Sequence, residues 1–179
     1  MIFFVRHGEA AAKWGDHPDP GLSEAGRAQA EAVAAFLASQ QIDAVLTSPM
    51  QRCQETAAPF CQLSGLSAQI DGAFTEIPTP GDITDRVPWL QALMSGDWSG
   101  TPESIKVWHR ALIEGASKLS ENTVVFSHFI AINALVGHCE GNPAVTVFRP
   151  DYCSVTRLQA DAGALQLVER GQEQITKVL

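Results

Sequence analysis

Met1-Ile2-Phe3-Phe4-Val5 is an unbroken apolar run that Arg6-His7 ends abruptly. Ala44-Val45-Leu46, stopped by Thr47-Ser48-Pro49, and Thr123-Val124-Val125-Phe126, stopped by Ser127-His128, repeat the pattern. Short apolar stretches without polar alternation predict strands covered on both faces. The segments between them read as helices. Behind a candidate N-cap, Ser23, the residues Ala25, Ala28, Ala32, Val33, Phe36 and Leu37 fall at offsets 0, 3, 7, 8, 11 and 12, one face of a helix. Ser48 as cap and Pro49 in the first turn predict a second helix running to about Gly65. Thr101-Pro102-Glu103 opens a third, to about Leu119, and Ile130 to Val136 is a fourth. A short strand is expected over 68–71 and a short helix near Trp89 to Met94. Val145 to Phe148, Cys153 to Leu158 and Leu165 to Val168 read as closing strands. Alternating strand and helix predict an α/β domain with a mostly parallel sheet.

Composition narrows the function classes. A chain of 179 residues is the size of one domain and buries roughly 70% of its unfolded surface, enough for a core without metal or disulfide staples. With 12 Lys plus Arg against 20 Asp plus Glu, the formal charge is −8. So acidic a surface repels phosphate backbones and anionic lipid, which excludes general nucleic-acid binding and membrane docking. The opening apolar run is too short for a signal-peptide core, and no stretch approaches the roughly 20 residues of a membrane span. Cys53, Cys61, Cys139 and Cys153 form no CxxC pair, so free thiols in the cytoplasm are expected.

In open α/β sheets ligands sit beyond the carboxyl ends of the strands. If the three apolar strands are parallel neighbours, Arg6, His7, Arg52 and His128 meet at one edge beside helix N-termini. Two guanidiniums and two imidazoles make a local anion pocket in an acidic protein. A phosphoryl group, carrying about −1.5 to −2 charges, suits it, and Arg holds it bidentately. Nearby positive charge disfavours imidazolium and leaves a ring nitrogen with a free lone pair. Such a nitrogen can attack phosphorus and form a phosphohistidine without a metal.

Four blocks then resemble a known motif series: Arg6-His7-Gly8-Glu9, Leu22 to Ala30 (LSEAGRAQA), Thr47 to Ala57 (TSPMQRCQETA) and Ser127-His128. In this order they resemble the histidine phosphatase superfamily, the phosphoglycerate mutase-like proteins. The first triplet alone is weak; the ordered set is specific and spans most of the chain. The resemblance implies a three-layer αβα sandwich with a mostly parallel central sheet. It implies one domain over 1–179, with 77–119 forming a lid, and no cofactor or metal. His7 matches the nucleophile, and Arg6, Arg52 and His128 the phosphate pocket. Glu76, in Phe74-Thr75-Glu76, falls where the first branch of the family places its general acid. The second branch places an Asp directly after its second His, where this chain has Phe129. Lys13, Ser23 and Phe129 are the further substrate-pocket candidates. Lys13 stands where the family often has Asn, Phe129 where it usually has Gly, and Asn133 where Arg is frequent.

The activity implied is a metal-independent phosphomonoesterase acting on a small phosphorylated metabolite or a phosphoprotein. Its rivals are phosphoglycerate mutase-type transfer, release of phosphate from protein phosphohistidine, and a phosphate-binding module with a dead site. Mutases of the family resemble longer chains, which ranks transfer below hydrolysis. Glu9 and Ser23 are also read as organisers of the local backbone, and His17, His109 and His138 as surface or core residues. A metal site from Asp16, His17 and Asp19 lacks the HExxH spacing. Trp14 is read as packing or as a wall of the pocket mouth.

Overall fold

The computed structural model describes residues 1–12 and 17–174. Six strands, β1 (Ile2–Arg6), β2 (Ala44–Thr47), β3 (Ala68–Ile70), β4 (Thr123–Ser127), β5 (Val155–Asp161) and β6 (Ala164–Glu169), form one sheet in the order β3-β2-β4-β1-β5-β6. The pairs β1–β4, β2–β4 and β2–β3 are parallel; β1–β5 and β5–β6 are antiparallel. The helices are α1 (Glu24–Leu37), α2 (Gln51–Ser64), α3 (Arg86–Met94), α4 (Glu103–Ser117) and α5 (Phe129–Glu140).

The buried strands β1 and β4 are apolar because helices cover both their faces. Ile2, Phe4 and Val125 point into one core with Ile105, Trp108 and Leu112 of α4 and the apolar α5. Phe3, Val5, Val124 and Phe126 point into the other, with Val33, Ala34 and Leu37 of α1 and Ala57 and Phe60 of α2. Strand alternation thus divides the side chains between two helical layers, and the molecule is a three-layer αβα sandwich. Within 77–119, α4 is part of a packed layer, with Ile105, Trp108, Leu112 and Ala116 buried. Among the described residues no helix is long and apolar enough to cross a membrane.

Four local readings are corrected. In α1, Val33 and Leu37 are buried as predicted, but Ala25, Ala28, Ala32 and Phe36 are exposed. Gly26, Ala30 and Ala34 complete the buried face instead. Alanine lies on every side of this helix, so apolar spacing does not select a face. Close packing does: a Cβ on Gly26 would lie 2.1 Å from the Glu9 carbonyl oxygen. Ser48 does not cap α2. That helix starts at Gln51, whose N–H donates to the Asp19 carboxylate at 2.9 Å, a cap supplied from a distant loop. At α4, Pro102 rather than Thr101 is the N-cap, and the Thr101 hydroxyl donates to the Trp98 carbonyl. Val145 to Phe148 is not a strand. The buried Asn133 Oδ1 accepts from the N–H groups of Val147 and Phe148 at 2.7 and 3.0 Å and takes the place of a pairing strand.

Candidate active site

Register brings the chemistry together. On parallel strands Arg6 stands opposite Ser127, and Thr47 opposite Phe126. The carboxyl ends of β2, β4 and β1 therefore finish level, and the residues just beyond them share one edge. His7 and His128 lie there with ring centres 5.4 Å apart. Arg52, in the first turn of α2, places NH2 3.1 Å from His128 Nδ1. Arg6 closes the other side: its guanidinium carbon lies 4.0 Å from the Tyr152 ring centre and 5.2 Å from that of Phe129. NH1 of Arg6 donates to the Pro150 carbonyl, while its buried Nε has no partner among the described residues. The predicted tetrad is thus one cluster.

The two imidazoles have different proton placements. His7 Nδ1 lies 2.7 Å from the Gly8 carbonyl oxygen, which only accepts, so Nδ1 carries the proton and Nε2 keeps its lone pair. Burial first, then Arg52 and Arg6, lower the His7 pKa from 6.5 to about 3, leaving the ring neutral at neutral pH. At His128 the order is reversed. Arg52 only donates, so Nδ1 accepts, and Nε2–H donates to the Ser48 hydroxyl at 2.7 Å. Burial, then His7 and the arginines, hold its pKa well below the ordinary histidine value. Cys53 Sγ packs 3.4 Å from Nε2, and burial pushes that thiol far up, so it stays neutral.

Glu76 reaches the same cluster from the loop after β3, with Oε2 3.8 Å from His128 Nδ1. Its carboxyl pKa is raised, chiefly by burial; the Ile77 N–H, donating to Oε1 at 3.0 Å, and the charges of Arg52, Arg86 and Arg6 oppose the shift. A carboxyl held toward its neutral form beside two arginines and two neutral imidazoles can give up a proton and later accept one.

Supporting contacts explain the loop shape. Gly8 N–H donates to Thr56 Oγ1 on α2, and a Cβ on Gly8 would lie 2.7 Å from the Gly26 carbonyl oxygen. Ser23, a substrate-pocket candidate, is occupied otherwise: its hydroxyl donates to Glu9 at 2.6 Å and accepts from Gly26 N–H as the cap of α1. Phe129 is buried beneath Arg6. Lys13, Trp14 and Asp16 lie outside the described residues, among which no group of three metal-binding side chains occurs. Asp19 instead lies 3.8 Å from Arg52 and caps α2.

Sequence reasoning missed Ser48, Tyr152 and Arg86. Ser48 was absorbed into a cap prediction. Tyr152 lies in no motif. Arg86 left one signal, as the single Lys or Arg between Arg52 and Lys106.

Residues 2–173 match the family model of the histidine phosphatase superfamily (branch 1). An uncharacterized protein of Mycobacterium tuberculosis is 34% identical over 112 residues, 60% of this chain and 51% of that protein. The chain thus spans about half the length of this relative. A probable phosphoglycerate mutase, GpmB, of Photorhabdus laumondii is 26% identical over 180 residues, 88% of this chain and 84% of its own. The fold superposes, with a TM-score of 0.75, on the phosphoserine phosphatase of Entamoeba histolytica in complex with 3-phosphoglyceric acid, at 19% identity over 97% of both chains. With the ordered motifs assembled at one sheet edge and the family model matched almost end to end, the chain belongs to the histidine phosphatase superfamily, branch 1.

Proposed function

We propose that the protein hydrolyses phosphate monoesters through a phosphorylated His7. One observation carries this reading: His7 is a neutral imidazole whose Nδ1 proton is held by the Gly8 carbonyl, which frees Nε2 between two arginines. Arg6 and Arg52 grip the non-bridging oxygens of the ester and stabilise charge on them during transfer. His128 donates to the phosphoryl group from Nδ1 in its other tautomer: as the ester enters, water takes the Nε2 proton and returns one to Nδ1, the Ser48 hydroxyl turns to donate to Nε2, and the buried ring carries no net charge. His7 Nε2 attacks phosphorus, the phosphorus–oxygen bond to the alcohol breaks, and protonated Glu76 gives its proton to the departing oxygen. In the second step the Glu76 carboxylate takes a proton from water, the oxygen attacks the phosphohistidine, and inorganic phosphate leaves with His7 restored.

No step calls on a metal. A small phosphorylated metabolite suits the pocket, in keeping with the phosphoserine phosphatase whose structure holds 3-phosphoglyceric acid. The deciding comparison is wild type against His7→Ala on p-nitrophenyl phosphate. We expect the variant to lose at least about a thousandfold in kcat, and acid quench of the wild type to trap label from a phosphorus-32 ester on His7. Equal rates, or label on another residue, would overturn the reading. The extended match to GpmB favours mutase-type transfer as the second reading. Isomerisation of a phosphorylated hydroxy acid faster than phosphate release, followed in a coupled assay, would put it first.

A further inference from the structure

Tyr152 is the single tyrosine of the chain and lies outside every motif block, yet it stands at the active site. Its ring centre is 4.0 Å from the guanidinium carbon of Arg6 and 6.1 Å from the ring centre of His7. It sits on a tight turn over 151–154, closed by the Ser154 N–H donating to the Asp151 carbonyl at 3.1 Å. The next residue, Cys153, holds a φ of 55°, a left-handed conformation that a residue with a side chain rarely adopts. Such a conformation persists where its surroundings over-determine it. Here they do so through Arg6. The Cys153 N–H donates to the Arg6 carbonyl at 3.0 Å, and the Arg6 N–H donates to the Ser154 carbonyl at 3.2 Å. The Arg6 side chain donates from NH1 to the Pro150 carbonyl at 2.8 Å. One turn thus grips both the backbone and the side chain of Arg6 and brings an aromatic ring against its guanidinium.

Four other arginines, Arg52, Arg110, Arg157 and Arg170, face carboxylates. Arg6 is buried, and among the described residues it has no such pair; two rings, Tyr152 and Phe129, and a carbonyl oxygen hold it instead. The difference matters to an incoming anion. A carboxylate would neutralise the charge and occupy the donors on the guanidinium edge. A ring attracts the cation through its π-face and leaves edge donors free, among them the buried Nε without a partner. His7 needs no such support, because the Gly8 carbonyl already fixes its ring from Nδ1 at 2.7 Å.

We propose that Tyr152 is the positioning residue of Arg6: its ring fixes the guanidinium so that the free donors meet the non-bridging phosphoryl oxygens with the charge undiminished. This rests on the hydrolytic reading above and adds the residue that aims Arg6. On p-nitrophenyl phosphate, Tyr152→Leu should lower kcat/KM about tenfold, the range of one desolvated cation–π contact. Tyr152→Phe, which keeps the ring, should stay within about twofold of wild type. In an Arg6→Gln background the same Tyr152→Leu change should cost less than about twofold, because the group it acts through is gone. A full tenfold loss in that background would place Tyr152 on His7 or the substrate and overturn the proposal. So would an unimpaired Tyr152→Leu, or a Tyr152→Phe as impaired as the leucine variant. With one tyrosine in the chain, 3-fluorotyrosine labelling gives one fluorine-19 signal. That signal should move when inorganic phosphate is added to otherwise wild-type protein and stay still in Arg6→Gln; no movement in the first, or equal movement in both, overturns the proposal. Calorimetric binding of inorganic phosphate to wild type, the two single variants and the double variant reads the same cycle without turnover, and additive losses there count against Tyr152. If the protein hydrolyses no ester, the hydrolytic reading falls while the binding cycle still decides Tyr152.

Discussion

His7 and His128 lie 5.4 Å apart, yet neighbours of opposite hydrogen-bonding character place their protons on different nitrogens. A carbonyl oxygen takes the Nδ1 proton of one; a guanidinium demands the bare Nδ1 of the other. Ser48 completes the second arrangement. Its hydroxyl alone can accept from His128 Nε2 in one state and donate to it in the next, and the adjacent Cys53 thiol is a weak substitute. Ser48→Ala should cost about 1–3 kcal/mol in urea unfolding, because it leaves a buried N–H unsatisfied. It should also lower kcat more than it raises KM, since in the proposed mechanism the exchanged tautomer holds the phosphoryl group during transfer. Imidazole nitrogen-15 shifts on adding vanadate would show whether His128 exchanges tautomer in the wild type and fails to in the variant.

Strand and helix types were legible because β1 and β4 are short and uniformly apolar and the helices carry turn or cap residues at their ends. Which face α1 turns inward was not legible. Alanine is equally at home on every side, and the choice was made by the backbone contact of Gly26 with Glu9. That contact also presses the helix start onto the loop that carries His7, linking element packing to the site. Gly26→Ala should cost more than about 2 kcal/mol, or force α1 off the Gly8-Glu9 loop and reduce turnover with it. A melting temperature and rate both equal to wild type would show that the two backbones do not need this approach. The Val145 to Phe148 segment makes a related point. Its residues suit a strand, but a side chain on α5, Asn133, takes its N–H groups first.

At the scale of the whole molecule, the site places a cationic cup in a protein of net charge −8, and the neutral histidines leave a signature in stability. Folded His7 resists protonation down to about pH 3, against 6.5 for an ordinary histidine. Between those values the unfolded chain binds a proton that the folded chain refuses, so stability is complete above 6.5 and declines as the pH falls toward 3. The slope contributed by one such group is about 1.4 kcal/mol per pH unit. Urea unfolding of wild type and His7→Asn at several pH values in that window should differ by this slope, the variant being the flatter. Parallel lines would mean that the folded ring takes up its proton at the ordinary pH. The measurement reads the buried imidazole without any substrate.

Arg6, His7, Arg52 and His128 could be singled out from the chain itself because each lies at or just beyond the end of an apolar strand, a local pattern, whereas Glu76 was named only through the family resemblance, since the exposed β3 before it carries no such pattern. Order and register, β2-β4-β1 finishing level, were decided only by the folded sheet, since pairing joins residues more than 70 positions apart. Proton placement on the two rings, the contact of Ser48 with His128 and the approach of Arg86 to the Ile77 carbonyl belong to the tertiary structure for the same reason. Each depends on which atom lies within hydrogen-bonding or Coulomb range after packing, and contacts between distant residues leave no periodic trace along the chain.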